Sequence, residues 1–190
     1  MTENEVRQLL IETGAILEGH FLLTSGLHSP MYVEKFQVLQ QPKHTEKLCQ
    51  ALAKRFVDEN VEVVVGPVTG GIILAHEVGK ALGTRAIFTE RENGKMALRR
   101  GFIINPGERV LIVEDIVTTG GSVKEVLDVV YEKGGVPVGV GILVDRSGGK
   151  AEFGIKKQSL LELTVPTYEP DNCSLCRDGV PMTKRGSRNI

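Results

Sequence analysis

The sequence predicts an α/β fold: a doubly wound, mainly parallel sheet flanked by helices, with a small N-terminal hood. Three observations point to it. Near-continuous Val/Ile/Leu runs recur as VEVVVGP, RVLIVED and VPVGVGILVDR. Helical patterns such as GGIILAHEVGKALG and GSVKEVLDVVYEKGG lie between them. Glycines cluster where strands give way to helices. Strands that are apolar at successive positions are covered on both faces, the pattern of parallel sheets. At 190 residues the chain fits one domain with a substantial core, the hood coming mainly from residues 1–40 plus a C-terminal segment.

Taken in order, Thr2 stands three residues before Glu5, the spacing of a helix capping box. Val6, Leu9, Leu10 and Thr13 then recur at helical spacing, and Gly14 offers a stop. AILEGHFLLTSGLHSPMYVEKF reads as short strands around a Ser-Gly turn. From Pro42 to Asn60, Leu48, Leu52, Phe56 and Val57 mark an amphipathic helix. The strand–helix alternation follows, with Gly83 closing one helix and RAIFTE forming a further strand. TERENGKMALRRG, residues 89–101, is polar and charge-rich and is expected to be a mobile loop. QSLLELTV is the final expected strand, before a polar tail.

Composition narrows the function. An apolar fraction of 41% and a charged fraction of 25% are ordinary for a soluble globular protein. A net charge of -1 gives no global basic field to recruit nucleic acid, so any anion site must be local. No apolar run approaches the roughly 20 residues of a membrane helix. The polar start MTENEVRQLL is unlike a secretory signal, and a cytoplasmic location is expected. Cys49, Cys173 and Cys176 are too few, and odd in number, for a disulfide framework. CSLC has the spacing of half a zinc site, but no second Cys or His pair lies nearby in sequence. A plain tail or a facultative disulfide is therefore expected ahead of a metal.

The chemistry concentrates in VLIVEDIVTTGGS, Val110 to Ser122. Ligands of open α/β sheets bind at the carboxyl ends of the strands. Gly120 and Gly121 let backbone N–H groups curl round an anion. Thr118, Thr119 and Ser122 add hydroxyls, and the following helix adds its positive end. This is a phosphate cradle, without the glycine spacing of a dinucleotide fingerprint or the Gly-Lys-Ser/Thr of a P-loop. Glu114 and Asp115 just before it would repel a bare phosphate. They fit a ligand that also presents vicinal hydroxyls, to which carboxylates accept hydrogen bonds. A ribose 5-phosphate unit has both features.

At these residues the sequence resembles the type I phosphoribosyltransferases, whose motif for phosphoribosyl diphosphate (PRPP) it matches from Val110 to Ser122. The resemblance implies PRPP contacts from Glu114, Asp115, Ile116, Val117, Thr118, Thr119, Gly120, Gly121 and Ser122. VGPVTGGIILA is similar to the family's diphosphate loop, with Thr69, Gly70 and Gly71 as donors. FLLTSGLHSPMYVEK resembles the hood signature of the orotate-specific branch, which puts Tyr32 and Val33 beside the base. Thr24 falls where many relatives carry a PRPP-contacting lysine, and Lys35 is a nearby charge. Arg146, after the strand GILVD, matches the arginine that binds the orotate carboxylate, and Thr118 also reaches the base. A planar guanidinium suits that bidentate contact.

The loop ERENGKMALRRG has no histidine and resembles a shorter bacterial branch, as does the tail. Arg91 and Lys95 are the candidates for closing over diphosphate, as catalytic residues with Asp115. Arg99 and Arg100 are hinge or dimer contacts, or a solvated charge run. The resemblance implies transfer of phosphoribosyl from PRPP to orotate. It also implies Mg²⁺ held mainly through PRPP and water, and a homodimer with loop-shared active sites; neither nucleic acid nor membrane is an expected partner. A purine- or uracil-specific relative would share the cradle but have no use for Arg146. A PRPP-sensing module without turnover would carry a nucleic-acid surface.

Overall fold

The computed structural model describes residues 1–23 and 25–184. The expectation placed on Thr24 therefore falls outside the described residues. Helix α1, Glu3–Glu12, starts on the expected capping box: Glu5 N donates to Thr2 Oγ1 at 3.3 Å, and Thr2 N donates to Glu5 Oε2 at 2.7 Å. Gly14, at φ 71°, ends it. Strands β1, Ile16–Leu22, and β2, His28–Val33, pair antiparallel. A short helix α2, Phe36–Leu39, leads into α3, Pro42–Ala53.

The helix expected to run to Asn60 instead tightens into a 3₁₀ segment, Lys54–Glu59, ending at Asn60 with φ 46°. Three residues per turn rotate the sequence off the α-helical stripe. Phe56 stays fully buried while Val57, expected on the apolar face, is 59% exposed.

The central elements follow as β3, Val63–Pro67; α4, Gly70–Leu82; β4, Arg85–Glu92; β5, Lys95–Leu98; β6, Arg109–Val117; α5, Gly121–Glu132; β7, Val136–Asp145; and β8, Lys157–Glu162. They form a six-stranded sheet in the order β5-β4-β3-β6-β7-β8, parallel except at the β4/β5 edge. Beyond the strand expected to be last, helix α6, Ser174–Arg177, precedes a strand β9, Met182–Lys184. β9 pairs parallel with β1, so the second sheet runs β2-β1-β9.

Residues 89–101 are not the expected loop. They contain a β-hairpin in which Glu92 faces Lys95 across a two-residue turn, Asn93–Gly94, at φ 51° and 82°. Positive φ at both central residues matches the turn to the right-handed twist of its strands, which is why Asn-Gly is favoured there.

Strand alternation divides the core. Leu111 and Val113 of β6 and Val64 of β3 pack with α1, α3 and α4 on one face of the sheet. Val110 and Ile112, with Val63 and Val65, pack against α5 on the other. Both faces being covered, every position from Val110 to Val113 is fully buried. The chain winds from β3 outward to β4, then returns to place β6 on the other side of β3. The carboxyl ends of β3 and β6 therefore flank the crevice where such sheets bind ligands. No helix among the described residues is long and apolar enough to cross a membrane.

Candidate functional site

The two acids end β6 with opposite parity. Asp115 follows Leu111 and Val113 toward the α4 side, and Glu114 follows Val110 and Ile112. Asp115 is 2% exposed. The Lys35 Nζ lies 2.8 Å from each of its oxygens, with hydrogen-bond geometry to Oδ1. The Glu114 carboxylate folds back to accept from the Asp115 backbone N–H at 3.0 Å. Burial and then the charge of Asp115 push Glu114 up to about 8. Burial also raises Asp115, while the Lys35 ammonium works against that rise.

Ionising Glu114 therefore costs the fold free energy. The stability it contributes is complete below its ordinary value of 4.5 and is lost as pH climbs toward about 8, by at most about 1.4 kcal/mol per pH unit. Thermal melts of wild type and Glu114→Gln between pH 5 and 9 should show a steeper decline for wild type. Parallel curves would refute the assignment.

Across the crevice, β3 runs into a tight turn. The Val68–Thr69 peptide is cis. A Cβ on Gly66 would sit 2.1 Å from Gly71 O, so the turn doubles back on its own backbone. A Cβ on Gly70 would sit 1.8 Å from Asp115 Oδ2, so the first residue of α4 is a glycine because the carboxylate occupies the space. Gly70→Ala should displace Asp115 from Lys35 and lower stability by about 1–3 kcal/mol, the usual cost of overpacking. An unchanged denaturation midpoint would show that the turn yields instead.

After β6, Val117 is buried, Ile116 half-buried, and Thr118, Thr119, Gly121 and Ser122 are exposed. Gly120 takes φ 80°, with Phe153 Cε1 2.9 Å from where a Cβ would lie. No side chain caps α5. Its first N–H groups therefore carry no side-chain cap, at the end of a helix that favours anions.

β7 ends beside this cradle, and Arg146 N donates to Val117 O at 2.7 Å. Arg146 is half-buried, and its Nε is enclosed with no hydrogen-bond partner among the described residues. Burial draws its pKa down, and nearby Tyr32 opposes that. An enclosed guanidinium nitrogen without an acceptor is costly unless a ligand supplies one. The turn carrying it is braced: Asp145 accepts from Ser147 N at 2.8 Å and from Lys157 Nζ at 2.9 Å. Burial pushes Asp145 up, but those bonds more than offset it and hold the carboxyl below its ordinary value.

The structure thus gathers Asp115, Gly70, Gly71, Thr69, the 118–122 cradle, Arg146 and Tyr32 along one sheet edge. It does not bring Val33, which is 7% exposed and packs in the core with Ile16 and Val38. Next to Tyr32 on a strand, Val33 must point the other way. Arg91 is held by Glu125, at 2.8 Å, about one helical turn beyond the cradle. Lys95 has no ion-pair partner among the described residues, while Arg99 and Arg100 pair with Glu90. Lys35, only a nearby charge in the sequence, is an ion-pair partner of Asp115.

Glycine turns follow the neighbouring central strands β3 and β6 at the carboxyl end of a parallel sheet, and the family comparison assigns this arrangement to the phosphoribosyltransferases. A family model described as phosphoribosyl transferase domain matches residues 37–164. The chain is 56% identical to the orotate phosphoribosyltransferase of Desulforamulus reducens over 190 residues, 100% of both chains. It is 49% identical to that of Thermotoga maritima, covering 97% of this chain and 99% of the relative. The crystal structure of orotate phosphoribosyltransferase from Aeropyrum pernix aligns with a TM-score of 0.68 at 25% identity, over 83% of this chain and 93% of that one. The chain belongs to the phosphoribosyltransferase family, a family of enzymes, and within it to the orotate phosphoribosyltransferases.

Proposed function

We propose that this enzyme transfers the phosphoribosyl group of PRPP to N1 of orotate, giving orotidine 5'-phosphate and diphosphate, in cytoplasmic de novo synthesis of UMP. The observation that carries the base assignment is Arg146. Its enclosed Nε without an acceptor stands beside Tyr32 and within one hydrogen bond of the strand that ends in the cradle. A carboxylate on the base matches it in charge and in planar geometry, whereas a neutral base offers it a carbonyl oxygen without the charge.

In this reading the cradle holds the 5-phosphate and Asp115 accepts from ribose hydroxyls. Incoming diphosphate attracts the Lys35 ammonium and so loosens its grip on Asp115. Thr69, Gly70 and Gly71 receive the diphosphate. The C1–O bond breaks as N1 approaches, with positive charge developing on the ribose. Holding donor and base at fixed points on one rigid sheet edge supplies the orientation that a bimolecular reaction lacks. Lys95, and Arg91 once released from Glu125, are placed on the β4/β5 hairpin to neutralise the departing charge in the neighbouring subunit of a homodimer.

Asp115 and Glu114 are hard oxygen donors that suit Mg²⁺, and a divalent cation beside them would offset the burial and the repulsion by Asp115 that raise Glu114. Two carboxylates are too few for a cage, so the ion would be held mainly by PRPP and water beside them. Bound there, Mg²⁺ would neutralise charge on the leaving diphosphate.

The test follows orotate absorbance with PRPP and Mg²⁺, with uracil and hypoxanthine in parallel. Turnover of orotate alone is expected. Turnover of another base alone would retain the donor and discard the Arg146 assignment.

A further inference from the structure

The hood contains a second cluster that the transfer reaction does not use. His20 on β1, His28 on β2 and Cys173 and Cys176 at α6 point their ligand atoms at one another, all within 4.8 Å. His20 Nε2 lies 3.1 Å from His28 Nδ1, 3.6 Å from Cys173 Sγ and 3.7 Å from Cys176 Sγ. His28 Nδ1 lies 3.2 Å from Cys176 Sγ. We propose that His20, His28, Cys173 and Cys176 form a tetrahedral zinc site that fastens the C-terminal segment to the hood sheet.

The distances fit the ion. Zn–N of about 2.0–2.1 Å and Zn–S of about 2.3 Å at tetrahedral angles set N···N near ~3.3 Å and N···S near ~3.6 Å. The protonation states fit as well. His20 Nδ1 is 2.8 Å from the Val180 carbonyl, an acceptor, so the ring proton is on Nδ1 and the Nε2 lone pair faces the cluster. A histidine ligand oriented by a carbonyl on its other nitrogen is the usual outer support of a zinc site. Hydrogen bonding alone serves the cluster poorly: if the thiols donate to the two imidazoles, the His20 Nε2 and His28 Nδ1 lone pairs are left facing each other at 3.1 Å, a repulsion that a shared cation removes. Paired thiolate and imidazole donors in this geometry select zinc over the hard Mg²⁺.

The segment has reason to need the fastening. From Thr164 to Lys184 the only buried side chain is Cys173. The segment's other ties are backbone pairing of His28 with Tyr168 and of β1 with β9, hydrogen bonds from Ser29 Oγ to Pro166 O and from His20 Nδ1 to Val180 O, and partial packing of Val165 against the core. Cys173 and Cys176 supply half a site, and the fold brings the other half from His20, 153 positions before Cys173, and His28, 148 positions before Cys176. The hood strand that carries His28 also carries Tyr32, so the ion would hold the base-facing strand in place from behind.

The test measures metal in the full-length protein purified without chelator or added metal, using no substrate. One zinc per chain is expected, lost in Cys173→Ser and in Cys176→Ser. Because those variants can misfold, Co²⁺ is also titrated into wild-type protein stripped of metal. Visible d–d bands of tetrahedral cobalt with a thiolate charge-transfer band, saturating at one equivalent and abolished by Zn²⁺ but not by Mg²⁺, are expected. Protein that carries no zinc and develops no such bands overturns the proposal, as does zinc fully retained in Cys176→Ser. A Cys173–Cys176 disulfide in protein prepared under reducing conditions overturns it too.

Discussion

Arg146→Ala raises the KM for orotate about 30- to 150-fold and leaves the KM for PRPP nearly unchanged. Removing one member of an enclosed, hydrogen-bonded charge pair costs about 2–5 kcal/mol. Arg146 is half-buried, so the lower part of that range, about 2–3 kcal/mol, applies, and each 1.4 kcal/mol is about tenfold. The effect is confined to the base because the Arg146 backbone, not its side chain, contacts β6 through Val117 O. Arg146→Lys keeps the charge but not the planar fork, so it recovers only part of the loss. Steady-state kinetics with each substrate varied separates the two constants. An orotate KM within twofold of wild type would remove Arg146 from the base site.

Much of this was legible in the residues. Runs such as VLIV are buried on both faces by two cores of opposite parity, so a continuous apolar stretch was a sound sign of a parallel strand. The cradle was legible because strand, glycines and helix start are contiguous. The hairpin was hidden by its charge: Arg91, Glu92, Lys95, Arg99 and Arg100 surround a short apolar stretch, although Asn93–Gly94 carried the turn signal. Val33 was misplaced because a motif gives adjacency, whereas a strand sends neighbours to opposite faces. Lys35 and Asp115 lie 80 residues apart, and neither spacing nor periodicity encodes such a pair. The same holds for His20 and His28 against the two tail cysteines, and for β9, which has three exposed residues and no apolar pattern at all.

Asp115→Asn lowers kcat/KM for PRPP about 30- to 1000-fold, corresponding to about 2–4 kcal/mol of lost charge-assisted hydrogen bonding. The amide keeps the shape that Gly70 accommodates but accepts more weakly from ribose hydroxyls. It also leaves the Lys35 ammonium, its side chain only 31% exposed, beside a neutral group. That second consequence is structural, and it has to be separated from the first. Lys35→Met/Asp115→Asn removes both charges, so no uncompensated ion remains, and its melting temperature should return toward wild type. Its kcat/KM for PRPP should not return, because the ribose still has no carboxylate. Recovery of activity together with stability would mean that Asp115 serves only to neutralise Lys35, and the ribose contact would have to be reassigned to Glu114. Stability without activity means that at least one of the two charges acts on the substrate, and Lys35→Met alone, which keeps the Asp115 carboxylate, tells them apart: activity retained in it places the carboxylate on the ribose.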